Sequence, residues 1–277
     1  MLIFAEIDPS VMKHLFPFLR GACLLSAIAV AALLLLPLSC GTTGKSGLQR
    51  YRLEVVAEYP HDPSSYTQGL FFHEGALIES SGQYGESALR RVDLATGHPT
   101  YSSTFEGGVF AEGAVVFGEK LYVLTWENGQ VYVCDPASFA VRDRLPYPRE
   151  GWGLTTDGSQ LIASDGSEYL YFLDGDLQLL RQVKVTRQGK PQRLLNELEY
   201  IDGKVWANVY TTDEIVIINP ANGHIDGVVD CFGLLPLKDR DVRTDVLNGI
   251  ACDPATGKTY LTGKYWKKLY EIKLVKR

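Results

Sequence analysis

The chain has 277 residues, of which 45% are hydrophobic and 22% charged, so it has the composition of a globular protein with a full core and not of a disordered chain. Its formal net charge is −6, and a mildly acidic globule without a basic stripe argues against nucleic-acid binding. The domain after the N-terminal segment carries an odd number of cysteines, which argues against a disulfide framework, although Cys231 and Cys252 remain a candidate pair.

Residues 1–40 have the organisation of an export signal. The stretch 21–38 is almost uniformly apolar and follows basic residues, and it is long enough that an uncleaved membrane anchor is an alternative. Its end at Cys40 resembles a bacterial lipobox, in which the cysteine is lipidated, except that Pro37 stands where an aliphatic residue is usual. We expect an exported protein of the periplasm or cell envelope that contacts a membrane only through this segment or a lipid on Cys40.

A tether and a first strand follow. Residues 41–50 are rich in Gly, Ser and Thr, as in a flexible linker. Residues 51–59 alternate polar and apolar side chains, which predicts a half-buried β-strand. This strand precedes every repeat described below, so we expect it to complete the last blade of a ring and to cover an otherwise exposed sheet edge.

A short junction recurs along the rest of the chain. Each copy opens a strand-like run that passes through a Gly-containing turn into a second apolar run, and successive copies lie 40 to 51 residues apart at Gln68, Glu112, Trp152, Glu197 and Asn248. A period of roughly 40–50 residues is typical of β-propeller blades. The sequence therefore predicts an all-β fold, a single five-bladed propeller over residues 51–277, which we expect to be a monomer.

Turn chemistry agrees with this assignment. Asp157-Gly158 and Asp202-Gly203 are signals for type I′ hairpin turns. The polar segment 182–194 is expected to join the third and fourth blades, and the longer connector 231–246 is the best place for a short helix.

The junctions also predict where a site lies. The first strand of each propeller blade lines the central channel, so residues entering these strands ring one mouth of it: Gln68, Glu112, Trp152, Asn196 with Glu197, and Asn248. A carboxyl group walled by aromatic rings loses hydration, which raises its pKa and suits it to proton transfer near neutral pH. Glu112 is the candidate, and a solvated loop glutamate is the alternative.

Five motifs, spread in order over the repeats, carry a family resemblance: Tyr66-Thr67-Gln68-Gly69-Leu70, 79–85, Asn196-Glu197-Leu198-Glu199-Tyr200, Val205-Trp206-Ala207-Asn208 and Thr262-Gly263-Lys264-Tyr265-Trp266. Together they resemble the plant and bacterial type of glutaminyl-peptide cyclotransferase. The resemblance covers about residues 51–277 and implies a five-bladed propeller. It also implies conversion of the N-terminal glutamine of a peptide to pyroglutamate, with release of ammonia and without a catalytic zinc.

The resemblance implies a role for each matching residue. Glu112 matches the family's general acid and base, and Lys264 and Asn196 match polar partners suited to hold the carboxamide oxygen. The substrate-binding positions it suggests are Gln68, Trp126, Trp152 and Trp206. Phe110, which precedes Glu112 by two residues, is a further substrate-binding candidate. Trp206 is equally well explained as propeller core, and Lys264 as a surface lysine.

No cofactor is expected, and His61, His73, His98 and His224 fall in no metal-ligand spacing. The resemblance also implies that the channel can hold a structural cation, and the oxygen-bearing Glu197, Asn248 and Asp245 near it would suit calcium. The alternative function is a non-catalytic exported propeller that binds a peptide or small ligand at the channel mouth. The joint presence of Glu112, Lys264 and Asn196 favours the enzyme.

Overall fold

The computed structural model describes residues 47–277, and nearly all of its regular structure is β-sheet. The export signal, Cys40 and most of the tether expected from the sequence lie outside the described residues. Within 47–277, no helix is long and apolar enough to cross a membrane. The first strand, β1, spans Gln49–Pro60.

Three antiparallel sheets each consist of four strands that follow one another in the chain. The first contains β2 (Thr67–His73), β3 (Ala76–Ser81), β4 (Ala88–Val92) and β5 (Pro99–Thr104). The second contains β6 (Ala111–Phe117), β7 (Lys120–Thr125), β8 (Gln130–Cys134) and β9 (Val141–Pro146). The third contains β10 (Leu154–Thr156), β11 (Leu161–Ala163), β12 (Tyr169–Leu173) and β13 (Leu179–Lys184). A small hairpin follows, formed by β14 (Thr186–Arg187) and β15 (Lys190–Pro191).

The remaining strands form one eight-stranded sheet in which β1 joins two groups. One group is β16 (Leu195–Ile201), β17 (Lys204–Val209), β18 (Glu214–Ile218) and β19 (Ile225–Asp230); the other is β20 (Leu247–Cys252), β21 (Thr259–Gly263) and β22 (Lys268–Lys276). Strand β1 pairs antiparallel with β22 and, over Gln49–Arg52, parallel with β19. It thus occupies the outer position of the last group, which supports closure by the N-terminal strand. It begins at Gln49, two residues before the alternating pattern, because this early part pairs with β19.

The opening strands of the sheets contact one another in a cycle. Strand β2 packs against β6, β6 against β10, β10 against β16, β16 against β20, and β20 against β2. This cycle supports the five-blade interpretation of the repeat. The all-β, propeller-like architecture predicted from the sequence is confirmed.

Apolar side chains between neighbouring sheets form the core. Leu124 and Leu161, from the second and third sheets, belong to one fully buried cluster, and Phe172 and Val216 belong to the next. Full burial of such a side chain stabilises the fold by about 1.5–3 kcal/mol. The core therefore lies between sheets and leaves the strand starts free to build a site.

The opening strands are irregular where the sequence junctions fall. Strand pairing shifts register around Gln68, Glu112, Asn196 and Asn248. Such bulges re-aim side chains. Gly113 shows why glycine recurs there: its N–H donates to Trp152 O at 2.7 Å, and a Cβ at this position would lie 2.5 Å from Leu154 N.

One local expectation is wrong, the type I′ turn at Asp157-Gly158. Asp202 and Gly203 have φ of 49° and 77°, as a type I′ turn requires, but at Asp157-Gly158 only the glycine has positive φ. The Asp157 carboxylate accepts bonds from Ser159 N and Gln160 N, which stabilise a longer turn instead. The short helix expected in the connector 231–246 is present as one turn of 3-10 helix, Leu237–Asp239. Cys231 and Cys252 are free thiols.

Candidate active site

A cavity of about 210 Å³ opens at the channel mouth where the irregular strand starts meet. Its walls contain seven of the residues predicted from the sequence: Gln68, Phe110, Glu112, Trp126, Trp152, Asn196 and Lys264. These come from distant parts of the chain, and the fold brings them together. The repeat predicted this for Gln68, Glu112, Trp152 and Asn196, but Glu197 and Asn248, predicted in the same ring, do not line the cavity.

The Glu112 carboxylate is held by a short chain of amides. Gln68 Nε2 donates to Glu112 Oε1 at 3.0 Å, and Asn248 Nδ2 donates to Gln68 Oε1 at 3.3 Å and to Thr67 O at 2.9 Å. Asn248 therefore orients the Gln68 amide so that its NH₂ group faces the carboxylate. Oε2 of Glu112 accepts no hydrogen bond from residues 47–277, which leaves this oxygen for a ligand.

Burial suits the Glu112 carboxyl to proton transfer. The residue is only 5% exposed, and loss of hydration raises its pKa well above the ordinary value. The nearby Lys264 ammonium opposes this shift, and the Glu150 carboxylate adds to it. A glutamate with a raised pKa can both accept and donate a proton near neutral pH.

Lys264 supplies the opposite charge. It is 2% exposed, and burial lowers its pKa, while Glu112 and Asp245 act in the other direction. Its Nζ lies 4.5 Å from the centroid of the Tyr66 ring and 5.1 Å from that of Tyr210, in range of cation–π attraction. Within the described part of the chain Nζ makes no ion pair or hydrogen bond, so its donors remain available in the cavity.

Aromatic side chains wall the cavity. Phe110 meets Trp126 edge-on with ring centroids 5.6 Å apart, and Trp152 meets Tyr210 in the same way at 5.5 Å. Phe110 also packs against Tyr66 at 6.0 Å. Edge-to-face arrangements are favoured for aromatic rings, so these pairs hold the wall side chains in a defined orientation.

Trp206 does not belong to this cavity. It lies on β17 and is 8% exposed in a core cluster with Ile217 and Ile201. The prediction that it binds substrate is therefore corrected: it occupies the core position that the sequence left as the alternative. Trp266 is buried in the same cluster.

Three wall residues were not singled out in the sequence: Tyr66, Gln83 and Tyr210. Tyr66 and Gln83 lie within the family motifs, so the motifs could have indicated them as site residues. Tyr210 directly follows β17, outside any motif, and only its contacts with Trp152 and Lys264 reveal its place.

A buried ion pair between His61 and Glu79 lies next to the site without lining the cavity. His61 Nε2 lies 3.1 Å from Glu79 Oε1, which also accepts from Thr67 Oγ1 at 2.6 Å, and His61 Nδ1 lies 2.8 Å from Trp266 O. Burial acts to raise the pKa of Glu79, but His61 outweighs it and the pKa falls to about 2. The pair connects the strand that carries Gln68 with the segment that carries Lys264.

The candidate calcium ligands have other contacts. Both carboxylate oxygens of Glu197 accept backbone N–H groups, from Leu70 at 3.3 Å and Ile250 at 2.9 Å. Asp245 is exposed and accepts from Val246 N. No group of three or more His, Cys, Asp or Glu within 47–277 is arranged to hold a metal ion. The expected structural calcium ion stays untested.

Comparisons with known proteins identify the family and agree with the fold. A family model described as glutamine cyclotransferase matches residues 27–274. Glutaminyl-peptide cyclotransferase of Arabidopsis thaliana is 40% identical over 229 residues, which are 80% of this chain and 71% of the plant protein. The crystal structure of Myxococcus xanthus glutaminyl cyclase superposes with a TM-score of 0.77 at 34% identity, covering 83% of this chain and 99% of that one. The chain belongs to the glutamine cyclotransferase family.

Proposed function

We propose that this cavity closes the N-terminal glutamine of a peptide to pyroglutamate and releases ammonia, with Glu112 carrying the proton. The observation that carries the proposal is the buried Glu112 carboxyl, with one oxygen held by Gln68 and the other left for substrate, beside the buried Lys264 ammonium.

The reaction needs few groups from the protein. The α-amine of the substrate attacks its own side-chain carboxamide, so both reactants arrive on one residue and the site has to select the folded-back conformer. The aromatic walls of Phe110, Trp126, Trp152 and Tyr210 provide a confined, water-poor space for that conformer.

Glu112 serves both proton transfers. As the amine nitrogen bonds to the carboxamide carbon, Oε2 accepts a proton from the amine. When the bond to the leaving nitrogen breaks, the same carboxyl returns the proton to that nitrogen, which departs as ammonia. General acid–base catalysis of this kind contributes about 10²–10⁴ in rate.

Lys264 and Asn196 stabilise the charge that develops on the carboxamide oxygen. Both line the cavity, both are almost fully buried, and neither side chain has a hydrogen-bond partner among residues 47–277. Removing one such donor from an oxyanion site costs roughly 10²–10³ in kcat. Gln68, fixed by Asn248, keeps Glu112 in place and presents a polar group beside it.

The reaction so written requires no catalytic zinc, because Lys264 and Asn196 provide the electrophilic assistance. The test is ammonia release from a short peptide that begins with glutamine, with and without EDTA. Equal turnover in both conditions is expected. Activity lost in EDTA and restored by added zinc contradicts the metal-independent mechanism.

The alternative is a propeller that binds the peptide without changing it. A peptide that binds but releases no ammonia over many active-site equivalents supports this alternative and contradicts the proposed chemistry. We propose that the protein acts after export, in the periplasm or cell envelope, which fractionation of cells that produce it can test.

A further inference from the structure

An exposed carboxylate joins the two indole rings of the cavity. Glu150 Oε2 accepts a hydrogen bond from Trp126 Nε1 at 3.1 Å and a second from Trp152 Nε1, also at 3.1 Å. Glu150 lies in the loop between β9 and β10, does not line the cavity itself, and belongs to none of the family motifs.

These two bonds complete a belt around the cavity. Going round it, Phe110 contacts Trp126, Glu150 bridges Trp126 to Trp152, and Trp152 contacts Tyr210. From Tyr210 the belt continues through the Lys264 ammonium to Tyr66, whose ring returns to Phe110 at 6.0 Å. We call this closed series of contacts the aromatic belt.

Among the described residues the belt has two gaps without a direct contact between neighbouring rings. The Lys264 ammonium fills the gap between Tyr210 and Tyr66, and Glu150 fills the other. Trp126 and Trp152 form no ring pair with each other, whereas each has an aromatic neighbour on its other side among the described residues. An indole N–H can satisfy only one acceptor in its plane, so a bond to a shared oxygen fixes the rotation of each ring. Bonds to an ionised acceptor are also stronger than neutral ones.

We propose that Glu150 is a positioning residue, which holds the indoles of Trp126 and Trp152 in the orientation that shapes the substrate cavity. The contribution of Glu150 to activity deepens the proposed function and rests on it. The orientation of the two indole rings by Glu150 does not rest on the proposed function. Its charge has a second effect, because it lies close enough to Glu112 to favour the protonated form of that carboxyl, against the Lys264 ammonium.

Two substitutions separate orientation from charge. Glu150→Gln keeps an oxygen that can accept both bonds but removes the charge, whereas Glu150→Ala removes both. Glu127→Ala is the matched control, since Glu127 is exposed next to Trp126 and makes no hydrogen bond with the described residues.

The direct readout is the set of indole N–H signals in the NMR spectrum of the whole protein. The chain has four tryptophans, so Trp206 and Trp266 serve as internal references for the fold. In Glu150→Ala we expect the signals of Trp126 and Trp152 to shift and to exchange faster with solvent, while those of Trp206 and Trp266 stay. In Glu150→Gln all four should remain near their wild-type protection. This readout needs no turnover, so it decides the proposal even if the proposed reaction fails.

Kinetics give the second readout. Glu150→Ala should raise KM for a glutamine-initiated peptide roughly tenfold, in line with the loss of hydrogen bonds to a charged group, and change kcat less. Glu150→Gln should keep KM within about twofold and move the acidic limb of the pH profile to lower pH. Unchanged Trp126 and Trp152 signals in Glu150→Ala overturn the proposal, as does an equal effect of Glu127→Ala on these signals. Shifted signals with unchanged KM overturn only the contribution of Glu150 to substrate binding.

Discussion

The amide of Gln68 donates to one oxygen of Glu112 at 3.0 Å and leaves the other oxygen facing the cavity. The two residues are 44 positions apart and occupy the same irregular position in neighbouring opening strands. The propeller repeat thus places a neutral donor beside a buried acid. The Gln68 amide positions the Glu112 carboxyl but carries no positive charge that would pair with it. The pKa of Glu112 therefore remains raised.

The pH dependence of kcat/KM should be bell-shaped. Glu112 must be ionised to accept the proton, so activity rises as pH rises through its raised pKa. Lys264 must be protonated to stabilise the oxyanion, so activity falls as pH rises through its lowered pKa. Glu150 and Asp245 are the other charged groups that influence this pair.

The acidic limb should move to higher pH in Lys264→Met, because the ammonium no longer favours the ionised form of Glu112. The measurement is kcat/KM against pH for both proteins with one glutamine-initiated peptide. An acidic limb that stays in place in this variant contradicts the assignment of that limb to Glu112.

Two tryptophan substitutions should have opposite effects, one on KM and the other on the free energy of unfolding. Trp152→Phe removes a cavity wall and the bond to Glu150, so KM should rise about tenfold while stability changes little. Trp206→Phe leaves a space in the core, so the free energy of unfolding should fall by about 1–2 kcal/mol with KM unchanged. Urea titrations and steady-state kinetics of both variants measure these effects. A higher KM in Trp206→Phe places that ring at the substrate after all.

Glu199, a buried residue of β16, should make stability fall as pH rises. Its side chain accepts bonds from Cys252 N at 2.9 Å and Thr155 Oγ1 at 3.3 Å, but burial raises its pKa from 4.5 to about 8. Between these values the folded state keeps a proton that the unfolded state has lost, so stability decreases by roughly 1 kcal/mol per pH unit. Glu199→Gln should weaken this slope.

Urea unfolding at several pH values between 5 and about 8 checks this slope. The exposed Glu119→Gln is the matched control and should follow the wild type. Identical slopes for wild type and Glu199→Gln mean that Glu199 is ionised in the folded protein.

The repeat made part of the site predictable. Gln68, Glu112 and Asn196 stand at equivalent junctions, and a propeller sends equivalent junctions to one mouth, so the sequence alone placed them together. Trp206 shows the limit of this reasoning. In a strand with period-two alternation, nothing in the sequence distinguishes a side chain that faces a neighbouring sheet from one that faces the cavity. Packing of the finished sheets decides between them.

Other features depend on loop geometry that no periodic pattern encodes. Tyr210 enters the cavity wall because the chain leaves β17 next to Trp152. Glu150 reaches two indoles from a loop whose path depends on contacts of Gly151 N with Thr125 O and Trp126 O. The turn at Asp157 is a further example. Its conformation depends on the hydrogen bonds that the Asp157 carboxylate accepts, and the Asp-Gly dipeptide alone did not predict it.

The most direct test of the account is single-turnover cyclisation of a glutamine-initiated peptide by the wild-type protein and by Glu112→Gln, with peptide binding measured in parallel. Glu112→Gln keeps the shape of the cavity and an acceptor for Gln68, so binding should be retained. The rate of ammonia release should fall by about 10²–10⁴. A variant that binds the peptide and cyclises it at the wild-type rate contradicts the role of Glu112 as the proton carrier.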